Sequence, residues 1–373
     1  MIQYKDVFLN VMKTALWSVP LDIPVDFNGW KYIIKIAKSQ ALLPHVADVM
    51  LRTPEVASRM SPKAIDRLQD ITIGNMASHA TSNNIIILVV NTLRQHGIEP
   101  VLLKGQGLAS YYPVPQLRSC GDIDVFVGEE NYEKAYDVLA PIANKIDPKD
   151  SLSRGGKHFH MFIGNTSLEI HRFTEVFNST SRNRIYQNFA YDGLHRDLVP
   201  LELPHITVNT PAVTYNTYYV FSHFFNHLLG SGVALRQVYD IAFLLHANVG
   251  KVDLVKFREM LTSMRVLVPW QILGCALVDV LGLPQNEFPF YNPSMRRRGE
   301  KLVDFILSEE YFILGNPLAR EYTRGYLYEK FFSFRCETAR LRKLFGIFPS
   351  YVVRRFCHTL VYGTLGVFKG LSR

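Results

Sequence analysis

Residues 100–127 read PVLLKGQGLASYYPVPQLRSCGDIDVFV, and two features of that stretch decide the architecture. Pro100 to Leu103 is a short apolar run closed by Lys104-Gly105-Gln106-Gly107, the pattern of a buried strand turning into a helix. From Asp122 to Val127 the residues alternate. Asp122 and Asp124 fall on one face of an extended segment, with Ile123, Val125 and Val127 on the other. Two carboxylates so placed stand a few ångströms apart and repel, which a divalent cation relieves. Magnesium suits this pair because it takes carboxylate oxygens together with phosphates.

Working downstream, Glu129 to Leu139 reads as a helix. His158 to Ile163 and Ser167 to Phe173 alternate around Gly164-Asn165, the signature of a hairpin. Within it Glu169 is flanked by apolar Leu168 and Ile170, which face the other way, so it supplies a third carboxylate. Asp122, Asp124 and Glu169 are therefore the candidate catalytic and metal-binding set. Lys104 adds a cation beside them, and the Gly105–Gly107 turn offers backbone N–H groups at a helix start to an anion. The G-x-x-x-x-G-K-[ST] spacing of a Walker loop is missing.

The histidines point less clearly to chemistry. His158 and His160 share a strand face but have no third zinc-type ligand near them in sequence, which favours structural or pocket-lining roles. His171 lies two residues past Glu169 and borders the same site. His223 and His227 stand one helical turn apart and favour packing, while Arg236 and Asp240 suit an intrahelical pair. Cys120, with no base beside it, reads as a small packing residue.

Both flanks are helical in pattern. Upstream, Val7, Val11, Leu16 and Trp17 space one apolar face, and Trp30, Ile33, Ile34, Ile36, Leu42 and Leu43 follow helical offsets. Ser61-Pro62 starts a long helix that runs to Gln95 and stops at His96-Gly97. Downstream, Thr210 is the expected N-cap of a helix closed by Gly230. Further helices are expected over Leu235–Asn248, Asp253–Arg265, Pro269–Leu281, Met295–Leu307, Ala319–Phe345 and Tyr351–Leu371. The reading is an α+β chain: a helical region over 1–96, a small mixed-sheet core over 97–209, and a helical region with a basic tail over 210–373.

Composition sets the remaining bounds. With 373 residues and 48% hydrophobic content the chain has ample material for a core, and it is not disordered in bulk. Four cysteines without paired spacing support neither a disulfide framework nor a zinc knuckle. The first residues lack an apolar h-region, and no apolar run approaches the ~18 residues of a membrane span, so a cytoplasmic location is expected. The net charge of +8 lies wholly in residues 296–373, which hold 15 Lys/Arg against 7 Asp/Glu. Such a localised excess suits an anionic partner. Packing of the interleaved apolar residues is the first reading of that tail, an anionic membrane surface the second, and a nucleic-acid or phosphorylated acceptor the third.

The segment VLLKGQGLASYYPVPQLRSCGDIDVFV, followed by LEIHRF, resembles the DNA polymerase β-like nucleotidyltransferase superfamily, and more closely the bacterial uncharacterised nucleotidyltransferases. Leu103-Lys104-Gly105, Arg118 before the D-x-D, Glu169 with His171, and the later SHFFNHLL and RQVYDIAFLL with His223, His227, Arg236 and Asp240 carry the likeness over residues 28–250. Two features depart from the superfamily: Lys104-Gly105 replaces the usual Gly-Ser pair, and the gap to Asp122 is long. The resemblance implies a polymerase β-like core that transfers a nucleoside monophosphate from an NTP such as ATP to an acceptor hydroxyl, releasing pyrophosphate. It implies two Mg2+ ions, with Mn2+ as an alternative, on Asp122, Asp124 and Glu169. Lys104, Gly105, Gly107, Arg118, His171 and Asp240 are implied as nucleotide-binding. The acceptor class is a sugar, small metabolite or protein hydroxyl. A second reading is a catalytically silent module that binds nucleotide or an anionic polymer.

Overall fold

The computed structural model describes residues 4–24, 26–146, 156–177, 179–230, 232–308 and 326–357, with backbone alone for 326–333 and 336. Five helices come first: α1 (Tyr4–Trp17), α2 (Trp30–Ser39), α3 (Leu43–Arg52), α4 (Pro54–Ala57) and α5 (Pro62–Gln95). Ser61 caps α5 by accepting the Ala64 N–H at 3.3 Å, Pro62 follows in its first turn, and Gly97 at φ +73° ends it, as the sequence pattern predicts. One expected continuity fails. Leu42 and Leu43 do not extend α2, because the chain turns at Gln40 and Ala41 (φ +54°) before α3 begins.

The middle of the chain forms β1 (Val101–Leu103), α6 (Gly105–Ala109), β2 (Ile123–Phe126), α7 (Tyr132–Leu139), β3 (Lys145–Ile146), β4 (His158–Ile163), β5 (Thr166–His171), α8 (Thr180–His195), β6 (Val199–Leu203) and β7 (Ile206–Thr210). The strands make one mixed sheet in the order β3-β4-β5-β2-β1-β7-β6. β2 lies at its centre, antiparallel to β1 with Leu103 opposite Asp124, and parallel to β5 with Asp124 opposite Glu169. Side chains alternate between faces, so the sheet divides two cores. Ile123, Val125, Leu168, Ile170, Phe159 and Met161 pack under α7 and the C-terminal half of α5, through Ile86, Val89, Val90 and Leu93. The opposite face meets the C-terminal helices and carries the polar residues of the candidate site.

Those helices are α9 (Val213–Leu229), α10 (Leu235–Ala247), α11 (Leu254–Ser263), α12 (Leu267–Cys275, continued by a π turn to Val280), α13 (Arg296–Leu307) and α14 (Tyr326–Leu344), followed by helical residues 349–357. None of the described helices is long and apolar enough on its own to cross a membrane. They share a core with the N-terminal helices. Gln40 accepts the Leu235 N–H at 2.9 Å and donates to Ile306 O at 3.1 Å, and the Trp17 indole donates to Leu281 O at 2.8 Å.

The chain departs from the sequence expectation in two further places. Thr210 is the last residue of β7 and not a helix cap; its hydroxyl donates to Val199 O, and α9 begins after Ala212. The β6–β7 hairpin and α8 lie outside the sequence expectation, although Val199, Leu201, Leu203, Ile206 and Val208 alternate. Pro200 and Pro204 mask that pattern, and Pro200 is tolerated because β6 is an edge strand. The expected helices over Ala319–Phe345 and Tyr351–Leu371 are seen over 326–344 and 349–357; Phe345 is in a turn, and residues 319–325 and 358–371 lie outside the described ones. In this tail Leu341, Leu344, Ile347, Phe348 and Val352 are buried, with Phe348 and Tyr351 edge-on to Phe225 of α9. Arg335, Arg342, Lys343, Arg354 and Arg355 stay exposed.

A histidine in the helical layer makes stability pH-dependent. His45 of α3 is 3% exposed and neither ring nitrogen has a hydrogen-bond partner. Burial first, and then the nearby Arg118, pull its pKa down to about 3. The folded state therefore refuses a proton that the unfolded chain accepts near 6.5, so this contribution is lost as pH falls from 6.5 toward 3. Between about pH 7.5 and pH 5 the loss is about 2 kcal/mol. Urea unfolding of wild type and His45→Leu at both pH values measures it, and the variant should show the smaller decline by that amount.

Candidate functional site

The cleft between the sheet and α9–α10 has a volume of about 460 Å³, within the ordinary range for small-ligand sites. Asp122, Asp124 and Glu169 meet on its sheet side, each offering a carboxylate oxygen within 4.8 Å of the others. Register accounts for the convergence: Asp124 and Glu169 are direct neighbours on β2 and β5 and project from one face. Asp122 precedes β2, so it stands at the exposed mouth of the cleft and not on the strand itself.

Asp124 is buried and doubly partnered. Lys104 Nζ lies 2.9 Å from its Oδ1, and His171 Nε2 lies 3.0 Å from the same oxygen. Burial is the largest single influence on Asp124 and works against its charge, but Lys104 and His171 outweigh it and hold its pKa well below the usual range. Asp122 moves the other way, raised by desolvation in the cleft and then by the Asp124 charge. Glu169 is lowered: burial is again the largest influence and opposes its charge, but His171, 3.3 Å away, prevails. Burial is the largest single influence on Lys104 and lowers its pKa, but Asp124, Asp122 and Glu169 together outweigh it and raise it. His171 is raised, its two carboxylate partners overcoming burial.

A strained turn delivers Lys104. It has φ +46° and ψ −133°, and Gly105 follows at φ +40° with the Asp122 carbonyl 3.8 Å from where a Cβ would sit. A non-glycine residue in such a region costs about 1–3 kcal/mol and persists only where its surroundings hold it. Here the ion pair with Asp124 does so. Gly107 is not part of this cradle. Of the two glycines Gly105 lines the cleft, whereas Gly107 packs on β7, where a Cβ would come within 3.2 Å of the Thr210 methyl.

Arg118 and Asp240, each expected at the nucleotide site, both line the cleft and pair with each other. Arg118 Nε and Nη2 donate to the two Asp240 oxygens at 2.7 and 2.9 Å, with both side chains almost fully buried. Asp240 also accepts from Tyr112 OH at 2.8 Å and from Arg236 Nη1 at 3.1 Å, so the intrahelical pair is one arm of a larger cluster. Burial disfavours the Asp240 charge, yet Arg118 and then Arg236 hold its pKa down. Arg118 Nη1 lies 3.1 Å from Cys120 Sγ, which places that thiol in packing. Two guanidiniums on one carboxylate leave a net positive end to the cleft, and Arg236 Nε there is buried without a hydrogen-bond partner.

The opposite wall departs from the sequence expectation. His223 and His227, expected to pack, line the cleft from α9 with Val220 and Phe224, their rings 4.4 Å apart. Burial and then Lys104 lower both pKa values. Lys157 joins them beside His158, which is also in the lining. Glu175 is a residue that sequence reasoning misses. It is buried just beyond β5 and accepts from Ser222 Oγ (2.7 Å) and Asn226 Nδ2 (2.9 Å), fixing α9 against the sheet. Burial raises its pKa. No local pattern marks such a residue. A groove of about 500 Å³ among Leu21, Phe27, Trp30, Arg52 and Arg59 lies outside this cleft and lacks its carboxylates.

The fit to a divalent cation follows from the donor set. Three carboxylates converge beside the Lys104 ammonium, and oxygen ligands of this kind suit Mg2+ or Mn2+. The family model described as uncharacterised nucleotidyltransferase matches residues 27–278. Among solved structures, an antigenic nucleotidyltransferase-like protein from Paracoccidioides brasiliensis is similar at 13% identity and a TM-score of 0.35, over 58% of this chain and 96% of that one. Comparison with curated proteins gave no match.

Proposed function

The chain belongs to the uncharacterised nucleotidyltransferase family, and on that premise we propose that it transfers a nucleoside monophosphate from an NTP to an acceptor hydroxyl with divalent-metal support. The observation that carries this reading is the convergence of Asp122, Asp124 and Glu169 in a cleft whose other walls are cationic or histidine-lined. Asp122, Asp124 and Glu169 would hold Mg2+, which would supply Lewis-acid stabilisation of the phosphoryl oxygens and activation of the acceptor hydroxyl.

The protein's own groups do the rest. Lys104, already directed at the carboxylates, offsets charge on the triphosphate, and Arg236 and Lys157 extend that positive surface along the cleft. The acceptor oxygen bonds to the α-phosphorus, the bond from that phosphorus to the bridging oxygen breaks, and pyrophosphate departs. The hydroxyl proton passes to Glu169, which His171 holds in place. Arg118 lines the same cleft and is anchored there by Asp240.

A catalytically silent binding module is the competing class. Calorimetric titration with ATP, with and without Mg2+ or Mn2+, separates the two, alongside an assay for pyrophosphate release. Metal-dependent binding with release supports transfer, and metal-independent binding without release supports the module. Lys104→Met is expected to weaken ATP binding about 10- to 100-fold, the value of a charge-assisted contact of roughly 1.5–3 kcal/mol. In the absence of nucleotide it should tighten Mn2+ binding, because Asp124 loses its resident cation. Unchanged affinities for both would remove Lys104 from the phosphate site.

A further inference from the structure

The β4–β5 hairpin places a second set of metal donors beside the carboxylates. His158 pairs with His171 across the two strands, and His160 pairs with Glu169, so all four side chains share the face that lines the cleft. Of these, His158, Glu169 and His171 each offer one ligand atom within 4.8 Å of the others. This is the third ligand that sequence spacing failed to supply for the His158 strand.

The hydrogen bonding is what gives the set a direction. His171 is 2% exposed, and its Nε2 is engaged by Asp124 at 3.0 Å and by Glu169 at 3.3 Å. Its Nδ1 is buried with no partner, and so is Nδ1 of His158, whose ring centroid lies 4.8 Å from that of His171. Two buried ring nitrogens without partners, on adjacent rings, are costly unless something occupies them. An imidazole whose far nitrogen donates to a carboxylate is the usual form of a metal-bound histidine, because that bond fixes its tautomer and orientation. Asp124 plays this part for His171.

We infer that His158, His171 and Glu169 bind a transition-metal dication of the Zn2+ type, joined through Glu169 to the Asp122/Asp124 end of the cleft. Two imidazoles and one carboxylate are ligands that suit zinc and its neighbours, whereas magnesium selects oxygen. Glu169 belongs to both donor groups, with Oε2 3.3 Å from His171 Nε2 and Oε1 3.6 Å from His160 Nδ1. The centre is thereby asymmetric, with an oxygen-rich end for Mg2+ or Mn2+ and a nitrogen-rich end for the softer ion. The inference shares Glu169 with the proposed transfer reaction but does not depend on that reaction taking place.

Cobalt(II) titration of the full-length, chelator-treated protein, read by visible d–d absorption, tests the assignment. A band saturating at one equivalent, displaced by Zn2+ and not by excess Mg2+, is expected. Asp122→Asn should keep the band. His158→Ala should weaken Co2+ binding beyond the roughly 10- to 100-fold that loss of an outer partner costs. His158→Asn, closer in shape and polarity, guards against a folding defect and should behave like the alanine variant. Absence of the band in wild type overturns the inference. So does a band lost in Asp122→Asn and kept in both His158 variants, which would place cobalt on the carboxylates. Failure of the transfer reading would show separately, as loss of Mg2+-dependent ATP binding with the cobalt band intact.

Discussion

Asp124→Asn is expected to eliminate metal-dependent ATP binding and pyrophosphate release, and to destabilise the protein at the same time. Its side chain is 2% exposed and neutralises Lys104 while accepting from His171. Breaking a buried pair by removing one partner costs roughly 3–5 kcal/mol, since the remaining charge stays buried. The sequence alone suggests that an isosteric exchange leaves the fold untouched, and the burial of this pair reverses that expectation. Asp122→Asn provides the clean comparison. Asp122 stands at the exposed mouth of the cleft, where substitutions ordinarily change stability by less than about 0.5 kcal/mol. Both variants should lose metal-supported binding, and only Asp124→Asn should lower the urea midpoint substantially. Near-normal Mg2+-dependent binding in Asp122→Asn would remove the three-carboxylate assignment.

The second large effect belongs to the Arg118–Asp240 pair. Asp240→Ala strands two guanidiniums, Arg118 and Arg236, and leaves the Tyr112 hydroxyl only its longer 3.4 Å contact to Arg236 O. A cost of about 3–5 kcal/mol is expected, and a similar cost for Arg118→Met, which leaves Asp240 with fewer compensating charges. The double variant should cost clearly less than the two added together, because each single change already removes the shared interaction. Urea unfolding of the four proteins closes the cycle. Strict additivity would show that the two residues act independently. Nucleotide affinity should fall in Arg118→Met in step with disorder of the 115–121 segment, which α5 also holds through Asn75 to Gln116 O and Ser119 to Asn75.

Much of the candidate site is legible in the sequence. A D-x-D on an alternating strand, a strand ending in Lys-Gly and a glutamate between two apolar residues are local patterns, and local patterns read directly from the chain. Lys104 is legible as a cation beside those carboxylates, though its ion pair with the buried Asp124 is not. The Arg118–Asp240 pair is not legible at all: it spans 122 positions, and nothing in either neighbourhood names the other. His223 and His227 illustrate the same limit: their spacing identifies one face of α9 but not what that face meets.

By itself the sequence determined the α+β class, the start and stop of α5, the β4–β5 hairpin at Gly164-Asn165 and the pairing of acidic with apolar faces on β2. Each of these local features depends on residues a few positions apart, where backbone geometry and side-chain direction are set by the chain itself. Tertiary structure decided which charges neutralise one another, which histidines face the cleft and why Gly107 is glycine. It also brought His158 next to His171, a juxtaposition that exists only once β4 and β5 take one register out of several. Electrostatic and coordination geometry fall off within a few ångströms of space, and the sequence records distance only along the chain.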